Sequence, residues 1–175
     1  MSKLIAFTGS KGVGKSWCAK YASNKFRGAG IEVSFADPIK EMLFEIVGEN
    51  VWVGDKEKPR KELGGKSIRY ALQTLGTEWG RGMIYPDIWI DQFKRCVSAE
   101  RELQLNVVND DCRFDNEADA IHELGGVVVL VTGNSCYESG DGHSSEGGIS
   151  MEKIDYVIDN DHTDQVKQAI ETIIK

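Results

Sequence analysis

Strand and helix patterns alternate along the chain, which predicts an α/β fold with a five-stranded, mostly parallel sheet flanked by helices. The run from Val127 to Val131 is continuous and apolar, as expected of a central parallel strand covered on both faces. A second apolar run, from Leu4 to Phe7, leads into a glycine-rich loop and then a helix pattern. With 175 residues, of which 41% are hydrophobic, the chain is long enough for one compact domain and too short for two ordinary ones.

The expected elements follow one another in order along the chain. Strands are predicted near residues 3–8, 31–35, 104–109, 126–131 and 155–158. Helices are predicted near residues 15–27, 38–47, 67–80, 87–101, 114–124 and 163–174. Apolar residues recur at helical spacing at Ile68, Leu72, Leu75 and Trp79, and less strictly at Ile88, Phe93 and Val97. Such positions indicate packing rather than function.

Two segments interrupt this alternation. Residues 48–66 are rich in charge and glycine, and residues 132–150 contain five glycines and many small polar residues. Long irregular loops in a compact domain are usually functional or mobile. The first is therefore a candidate for closing a substrate site and the second, over 132–150, for a lid. Surface excursions without any chemistry would show the same pattern.

Residues 9–16, with the sequence GSKGVGKS, match the phosphate-binding loop pattern G-x-x-x-x-G-K-[ST] in the strand–loop–helix setting that it requires. Glycines let successive backbone N–H groups point at phosphate oxygens, and the helix that follows adds the positive end of its dipole. Lys15 would reach the β- and γ-phosphates, and the Ser16 hydroxyl would hold Mg²⁺. Binding of a nucleoside triphosphate is the first functional hypothesis. The alternative is an ordinary glycine-rich turn followed by a helical lysine.

Charge and composition argue against several other classes of protein. The formal net charge of −7 disfavours a protein whose main task is to grip a nucleic acid, although a few Arg and Lys side chains can still form a positive cleft. No stretch approaches the ~18 consecutive apolar residues of a membrane span, and no signal peptide is evident, so a soluble, cytoplasmic protein is expected. No C-x-x-C pair is formed by the four cysteines, Cys18, Cys96, Cys112 and Cys136, so neither zinc nor redox chemistry is indicated.

Polar residues just past the predicted strands are the candidates for chemistry, because ligands of open α/β sheets bind at the carboxyl ends of the strands. Asp37 follows the second strand, although it could simply cap the next helix, with Pro38 in the first turn. Asp110 and Asp111 follow the third strand, where a carboxylate orients Mg²⁺ in phosphate-loop enzymes. The sequence does not choose between them, and Asp111 could equally cap the helix that contains Glu117.

A polar stripe lies on the helix predicted over residues 67–80. Arg69, Gln73 and Thr77 are spaced i, i+4 and therefore share one helical face. Arg offers a planar fork that binds a phosphate through two hydrogen bonds, and Gln can read the edge of a nucleobase. Gly76 would permit close approach of a ligand. A solvated helix face would explain the same residues.

Taken together, these motifs resemble those of the bacteriophage deoxynucleoside monophosphate kinases. The phosphate loop is shared by many families, but an Arg-x-x-x-Gln-x-x-Gly-Thr helix followed by a D-x-R-x-x-x-E element is much narrower. The resemblance rests on the phosphate loop, ADPIK at 36–40, Arg69 with LQTLGTEWGR at 72–81, Trp89, and DCRFDNE at 111–117. It extends to HSSE at 143–146 and IDND at 158–161.

The resemblance implies a P-loop NTPase fold of the nucleoside monophosphate kinase type. A single domain over residues 1–175 would carry a helical substrate-binding insertion near 38–102. The implied reaction transfers the γ-phosphoryl group of ATP, with Mg²⁺, to a deoxynucleoside 5′-monophosphate, as deoxynucleotide biosynthesis for phage DNA replication in the host cytoplasm requires. Kinases of this shape often dimerise, so a homodimer is compatible with the resemblance. The alternatives are a kinase for another phosphorylated metabolite, such as dephospho-coenzyme A or phosphomevalonate, and a non-catalytic ATP-binding regulator.

The resemblance also implies roles for individual residues. The ATP-binding residues would be Lys11, Gly12, Val13, Gly14, Lys15, Ser16 and Trp17. The monophosphate site would be lined by Asp37, Lys40, Arg69, Gln73, Gly76, Thr77, Arg81, Trp89, Asp111, Arg113 and Glu117. The catalytic residues would be Lys15, Arg113 and Asp37, with Glu117 holding Arg113 by an ion pair. The metal would be held by Ser16 and by Asp111, directly or through water.

One feature departs from the family of nucleoside monophosphate kinases, which commonly close an arginine-bearing lid over the transferring phosphate. From Phe114 to Ile149 this chain contains no Arg or Lys. Either Arg113 and Arg81 supply the positive charge, or Arg60 or Lys61 does so from the 48–66 segment, or a neighbouring subunit contributes.

Overall fold

The computed structural model describes residues 2–26, 29–133, 148–161 and 164–175. Its strands are β1 (Leu4–Thr8), β2 (Gly30–Glu32), β3 (Asn106–Asn109), β4 (Val127–Thr132) and β5 (Tyr156–Asp159). Its α-helices are α1 (Lys15–Lys25), α2 (Asp37–Val47), α3 (Asn50–Val53), α4 (Ile68–Gln73), α5 (Ile88–Glu102), α6 (Asp115–Glu123) and α7 (Asp164–Ile173). A π-helix spans Thr74–Ile84, and 3₁₀ turns lie at Lys61–Leu63 and Met151–Lys153.

The five strands form one parallel sheet in the order β2-β3-β1-β4-β5. The predicted fold class is therefore confirmed. β1 lies at the centre, where Ala6 pairs with Asn109 on one side and Val128 on the other. Because parallel strands end at the same edge of a sheet, the loop after β1 and the residues after β3 emerge side by side.

The second strand is shorter than predicted. It was expected over 31–35 and spans only Gly30–Glu32. One further backbone bond, from Val33 N–H to the Val108 carbonyl at 2.9 Å, extends the pairing. β3 ends at Asn109, and the chain continues from Ser34 to α2, which begins at Asp37.

The chain forms two compact units. Unit 1 comprises Met1–Ser34 and Phe93–Lys175 and contains the sheet, and unit 2 comprises the helical stretch Phe35–Gln92. A single domain with an insertion over 38–102 stays a prediction. Among the described residues, no helix has the length and apolar character needed to span a membrane.

The core of unit 1 lies between the sheet and helices α1 and α7. Ile5 and Phe7 of β1 are almost completely buried, at 2% and 1% exposure. Small side chains on α1 allow this helix to lie close to the strands. The cluster comprises Ile5, Phe7, Val13, Cys18, Ala19, Ala22, Phe26, Val108, Val129, Val131, Ile158, Val166 and Ile170.

Unit 2 has a small core of its own, formed by Leu43, Val47, Val51 and Ile68. The helix predicted over 67–80 is present but changes type and runs further. Ser67 begins α4 by accepting a hydrogen bond from Tyr70 N–H at 3.1 Å. From Thr74 the backbone continues with the wider i→i+5 pattern of a π-helix, which ends with Tyr85 N–H bonded to the Gly80 carbonyl at 3.0 Å.

The 48–66 segment is more ordered than its composition predicts. It contains α3 and a 3₁₀ turn, and Pro59 forms an antiparallel bridge with Ser67. The Arg60 N–H donates to the Lys66 carbonyl at 2.9 Å, while the Arg60 carbonyl accepts from Gly65 N–H at 2.9 Å. These local bonds close a compact hairpin that the charge and glycine content did not reveal.

Candidate functional site

The phosphate loop connects β1 to α1 and is shaped by close backbone packing. Gly14 has φ +98°, a conformation that favours glycine. A Cβ at this position would lie 2.2 Å from Asn160 Nδ2, so no side chain fits without moving its neighbour. The second glycine of the motif is therefore required by both backbone conformation and space.

Lys15 lies at the first position of α1 and folds back over the loop. Its ammonium donates to the Gly9 carbonyl at 2.8 Å and to the Ser10 carbonyl at 2.9 Å. Both acceptors belong to the beginning of the phosphate loop. The positive charge is thus held above the loop by the backbone of the same motif.

Ser16 and Asp110 meet where β1 and β3 end. The Ser16 hydroxyl donates to Asp110 Oδ2 at 2.6 Å, and the Ser34 hydroxyl donates to Asp110 Oδ1 at 3.3 Å. Hydroxyl groups from two other chain segments therefore converge on the carboxylate of Asp110. It is this residue, and not the Asp111 named for the metal role, that lies beside the motif serine.

Asp111 forms a hydrogen bond with Asn109, whereas the motif serine bonds to Asp110. Its Oδ1 accepts a hydrogen bond from Asn109 Nδ2 at 2.7 Å, and Asn109 Nδ2 also donates to the Val33 carbonyl at 3.0 Å. The alternative interpretation of Asp111 as a helix cap is wrong, because α6 begins at Asp115 and its N-cap is Phe114. Spacing after the strand could have identified Asp110, since it is the first residue beyond β3.

Glu117 supports Arg113 through the backbone. The Glu117 side chain is 2% exposed, and its Oε2 accepts from Arg113 N–H at 2.6 Å and from Phe114 N–H at 3.2 Å. A Glu at the third position of a helix commonly reaches back to the N-cap N–H in this way. The structure thus shows Glu117 holding the backbone of Arg113, and the ion pair with the Arg113 guanidinium stays a prediction.

Asn160 follows β5 and holds the phosphate loop from the side. Its Nδ2 donates to the Val13 carbonyl at 2.8 Å, and its backbone N–H donates to the Thr132 carbonyl at 2.7 Å. The side chain is buried, and within the described residues its Oδ1 has no hydrogen-bond partner. The sequence offered Asn160 only as part of the IDND resemblance and gave no sign of its contact with the loop.

In unit 2, Asp37 and Lys40 form an ion pair on the first turn of α2. Lys40 Nζ lies 2.8 Å from Asp37 Oδ1 and 5.1 Å from the centre of the Trp52 ring. The interpretation of Asp37 as a helix cap is wrong, because it is the first residue of the helix and Ala36 is the N-cap. Both side chains are therefore placed by α2 itself.

Arg69 of α4 is engaged by a residue from the 48–66 segment. Its Nε lies 2.5 Å from Glu57 Oε1, and its backbone N–H donates to the Lys56 carbonyl at 2.9 Å. Gln73 is the last residue of α4, whereas Thr77 and Arg81 lie on the π-helix. The predicted stripe therefore spans two helix types, and its i, i+4 face is regular only from Arg69 to Gln73.

Trp89 is 5% exposed and packs against two glycines of the π-helix. Its Nε1–H donates to the Gly76 carbonyl at 2.8 Å. A Cβ on Gly80 would lie 2.5 Å from Trp89 Cζ2, and one on Gly76 would lie 3.0 Å from Ile39 Cδ1. Gly76 was expected to let a ligand come close. In the structure the side chains of Ile39 and Trp89 lie close to it.

Two cysteines are buried in unit 1. Burial raises the pKa of the Cys18 thiol to about 11, and burial also raises the pKa of Cys112 well above its ordinary value. Both thiols therefore remain protonated at neutral pH. Cys136, the HSSE motif and most of the lid-like segment fall within residues 134–147, outside the described residues.

A phosphate loop after a central parallel strand, with a carboxylate after the neighbouring strand, defines a P-loop fold of the nucleoside monophosphate kinase type. A solved structure of a sugar kinase from Janibacter sp. HTCC2649 shares this fold, with a TM-score of 0.51 and 12% identity over 99% of this chain and 95% of that chain. The fold predicted from the resemblance is confirmed.

The family follows from two sequence comparisons. A sequence model of the deoxynucleotide monophosphate kinase family matches residues 56–170. A curated relative from Acanthamoeba polyphaga mimivirus, named "Putative deoxynucleotide monophosphate kinase", is 33% identical over 178 residues, covering 91% of this chain and 89% of the relative. The chain belongs to the deoxynucleotide monophosphate kinase family and is a phosphotransferase that acts on nucleotides. The resemblance stated from the motifs is confirmed.

Proposed function

We propose that this protein transfers the γ-phosphoryl group of ATP to a deoxynucleoside 5′-monophosphate, giving ADP and the deoxynucleoside diphosphate. The observation that carries the proposal is the convergence of Lys15, Ser16 and Asp110 at the phosphate loop of a chain from this family. The phosphate loop supports a nucleoside triphosphate as donor, and family membership supports a nucleotide as acceptor.

The donor half of the proposal rests on unit 1. Backbone N–H groups from Lys11 to Trp17 would bind the phosphates, with the positive end of α1 behind them. The Lys15 ammonium, already held over the loop by two carbonyls, would neutralise the β- and γ-phosphates. Preorganised charge of this kind costs no rearrangement when the phosphoryl group moves.

A magnesium ion fits the donor set next to the loop. Mg²⁺ prefers oxygen ligands and usually keeps several waters, binding through one or two carboxylates plus substrate phosphates. The Ser16 hydroxyl and the Asp110 carboxylate, 2.6 Å apart, would hold it, and Asp110 takes the place first given to Asp111. Among the described residues no cluster of three or more His, Cys, Asp or Glu side chains could hold a metal alone. The ion would reduce the negative charge of the phosphates when bound.

The acceptor half rests on unit 2. Arg69 and Arg81 would bind the 5′-phosphate, since a guanidinium can hold a phosphate through two hydrogen bonds. Gln73 and Thr77 would contact the nucleoside, and the Asp37–Lys40 pair would lie at the phosphate end. With its N–H engaged by Gly76, Trp89 would act as a fixed apolar wall rather than as a hydrogen-bond donor.

Catalysis would depend on alignment and neutralisation of charge. A nucleoside monophosphate is already an anion at neutral pH, so proton removal by a general base is scarcely needed. Arg113, whose backbone is fixed by Glu117, would stabilise charge between donor and acceptor phosphates. Asp37 would orient the acceptor. Arg113 with Arg81 is our preferred replacement for a lid arginine, ahead of Arg60, Lys61 or a second subunit.

The test is an assay of ADP release with ATP, Mg²⁺ and each of the four deoxynucleoside monophosphates, alongside the four ribonucleotides. Wild-type protein is compared with Lys15→Ala and Arg69→Ala. Lys20→Ala serves as the matched control, because Lys20 is an exposed lysine on the same helix as Lys15. Turnover of at least one deoxynucleotide that collapses in the first two variants and persists in the control is the expected result.

Two outcomes would contradict the proposal. Binding of ATP without turnover of any nucleoside monophosphate would favour another acceptor or a non-catalytic regulator. Equal turnover in Lys15→Ala and Lys20→Ala would show that the phosphate loop does not carry the reaction.

A further inference from the structure

Trp17 presents an aromatic ring directly after the phosphate loop. It follows Ser16 on the first turn of α1, and 46% of its surface is exposed. A single exposed aromatic residue is ordinary on a protein surface and is not by itself a binding site. A binding role requires, in addition, contacts that hold the ring in a fixed position.

The Trp17 ring is fixed by a chain of contacts along α1. It stacks on Tyr21, one turn further on, with ring centres 5.4 Å apart and planes 14° from parallel. The Tyr21 hydroxyl donates to Glu171 Oε1 of α7 at 2.7 Å. Lys25 Nζ lies 3.1 Å from Glu171 Oε1 and 5.3 Å from the centre of the Tyr21 ring. One face of Trp17 is therefore covered by a side chain that is itself anchored to a second helix.

We infer that the face of Trp17 turned away from Tyr21 is the platform on which the nucleobase of the donor nucleotide stacks. This inference rests on the proposed function, in which the phosphates of that nucleotide occupy the loop that ends at Ser16. The base is the part of the donor that extends beyond the α-phosphate, and Trp17 is the first side chain beyond the loop. A ring already held in place loses little conformational freedom when a ligand stacks on it.

Stacking on Trp17 would also set the donor specificity of the protein. Stacking accepts every base, because each base has a π-face, and it strengthens with the area of the ring system. A platform without hydrogen bonds to the base edge would therefore accept ATP and GTP alike and prefer both to CTP and UTP.

The test compares Trp17→Ala and Trp17→Phe with wild type in two assays. KM for ATP should rise about 5- to 160-fold in Trp17→Ala, as expected for removal of one stacked aromatic side chain. It should rise less in Trp17→Phe, which keeps a smaller ring. Inhibition by magnesium tripolyphosphate, which has phosphates and no base, should be the same in all three proteins.

The second assay does not depend on turnover. MgATP should quench the tryptophan fluorescence of wild type, magnesium tripolyphosphate should not, and the quenching should be lost in Trp17→Phe. Tyr156→Ala is the matched control, because it removes an aromatic side chain that is also 46% exposed and lies in the same unit. Its KM for ATP should equal that of wild type.

The outcomes separate this inference from the proposed function. An unchanged KM for ATP in an active Trp17→Ala variant would overturn the platform and leave the kinase intact. Equal weakening of ATP and tripolyphosphate would also overturn it, because Trp17 would then only shape the loop. Quenching by ATP that requires Trp17, without turnover of any acceptor, would support the platform and overturn the proposed function.

Discussion

Unit 1 and unit 2 hold their candidate residues by different means. In unit 1 the functional groups lie near strand ends, and backbone atoms place two of them: the carbonyls of Gly9 and Ser10 hold Lys15, and two backbone N–H groups hold Glu117. In unit 2 side chains place one another. Glu57 contacts Arg69, and Trp89 fills the space beside Gly80.

This difference shows where a sequence motif is enough to predict the position of a functional group. The position of a group that local backbone holds can be predicted from its motif, because the motif itself specifies the backbone conformation. A group that is positioned by packing depends on residues far away in the sequence. The candidate residues of unit 1 should therefore respond sharply to single changes, and those of unit 2 should respond in a more graded way.

The largest effect is expected at the carboxylate beside the phosphate loop. Asp110→Asn removes the charge next to Ser16 while keeping the shape of the side chain, and turnover should fall about 100- to 1,000-fold, the range for loss of one electrostatic group at a reacting centre. Asp111→Asn is the matched variant and should lose much less. Steady-state kinetics at saturating Mg²⁺ measures both. A greater loss in Asp111→Asn would reverse the assignment and would show that the motif alone does not place the carboxylate.

The second largest effect is expected at Arg69 in unit 2. Arg69→Lys keeps the charge but loses the planar fork, so KM for the deoxynucleoside monophosphate should rise about 10- to 100-fold, as expected for weakening of a charged hydrogen bond. KM for ATP should not change. Glu57→Gln removes the present partner of Arg69, and since Glu57 is largely exposed its effect on acceptor KM should stay below about fivefold. Comparable increases in both variants would mean that Glu57 is needed to orient Arg69.

Much of the fold followed from the sequence. The parallel sheet was predictable because the apolar runs were unambiguous, and the described residues form the five strands that were expected. The end of β2 was misplaced because strand length depends on the partner strand, which stops at Asn109. The π-helix was not foreseen, because Thr74–Ile84 has the apolar spacing of an ordinary helix. Its glycine Gly80 lies against the ring of Trp89, a residue outside the helix.

The residues of the candidate site, like the elements of the fold, could be predicted only in part. Lys15 and Ser16 were given by the loop motif alone. The sequence left Asp110 and Asp111 both open, although the position of Asp110 directly after β3 could have favoured it, and the structure adds that Asp110 accepts from Ser16 while Asp111 accepts from Asn109. Asn160 and Glu57 were missed as contacts because each acts on a residue in another part of its unit.

A third prediction tests packing in unit 2. Gly80→Ala places a Cβ 2.5 Å from the Trp89 ring, and overpacking of this kind should lower the free energy of unfolding by about 1–3 kcal/mol. Gly82→Ala is the matched control, because the nearest atom to its Cβ is the Thr77 carbonyl at 3.4 Å, an ordinary contact. Urea unfolding followed by fluorescence compares the two. Equal stability of both variants would show that Trp89 is free to move.

The smallest effect is expected at Ser150, which contacts the first residue of α6. Ser150 donates to Asp115 from its N–H at 2.8 Å and from its hydroxyl at 2.7 Å, and these bonds lower the pKa of Asp115 below its ordinary value of 3.8. A lowered pKa means that the stabilisation is fully present above about pH 3.8 and disappears as the pH falls through the lower, folded value.

Thermal unfolding as a function of pH measures this contribution. Wild type should be slightly more stable than Asp115→Asn above pH 3.8, and the difference should shrink below it. Ser150→Ala should reduce the same difference, since it removes one of the two donors. A difference in stability between wild type and Asp115→Asn that grows as the pH falls would contradict the lowered pKa of Asp115.

The contact between Asn160 and Val13 joins residues 147 positions apart in the sequence. The phosphate loop leaves the ribosome well before Asn160, which supports it from the side. A nascent chain that ends before β5 would carry the whole GSKGVGKS motif without the contact that holds its backbone. Nucleotide binding should thus be acquired only after β5 and Asn160 have been made, and a chain that lacks them would carry the motif without its lateral support.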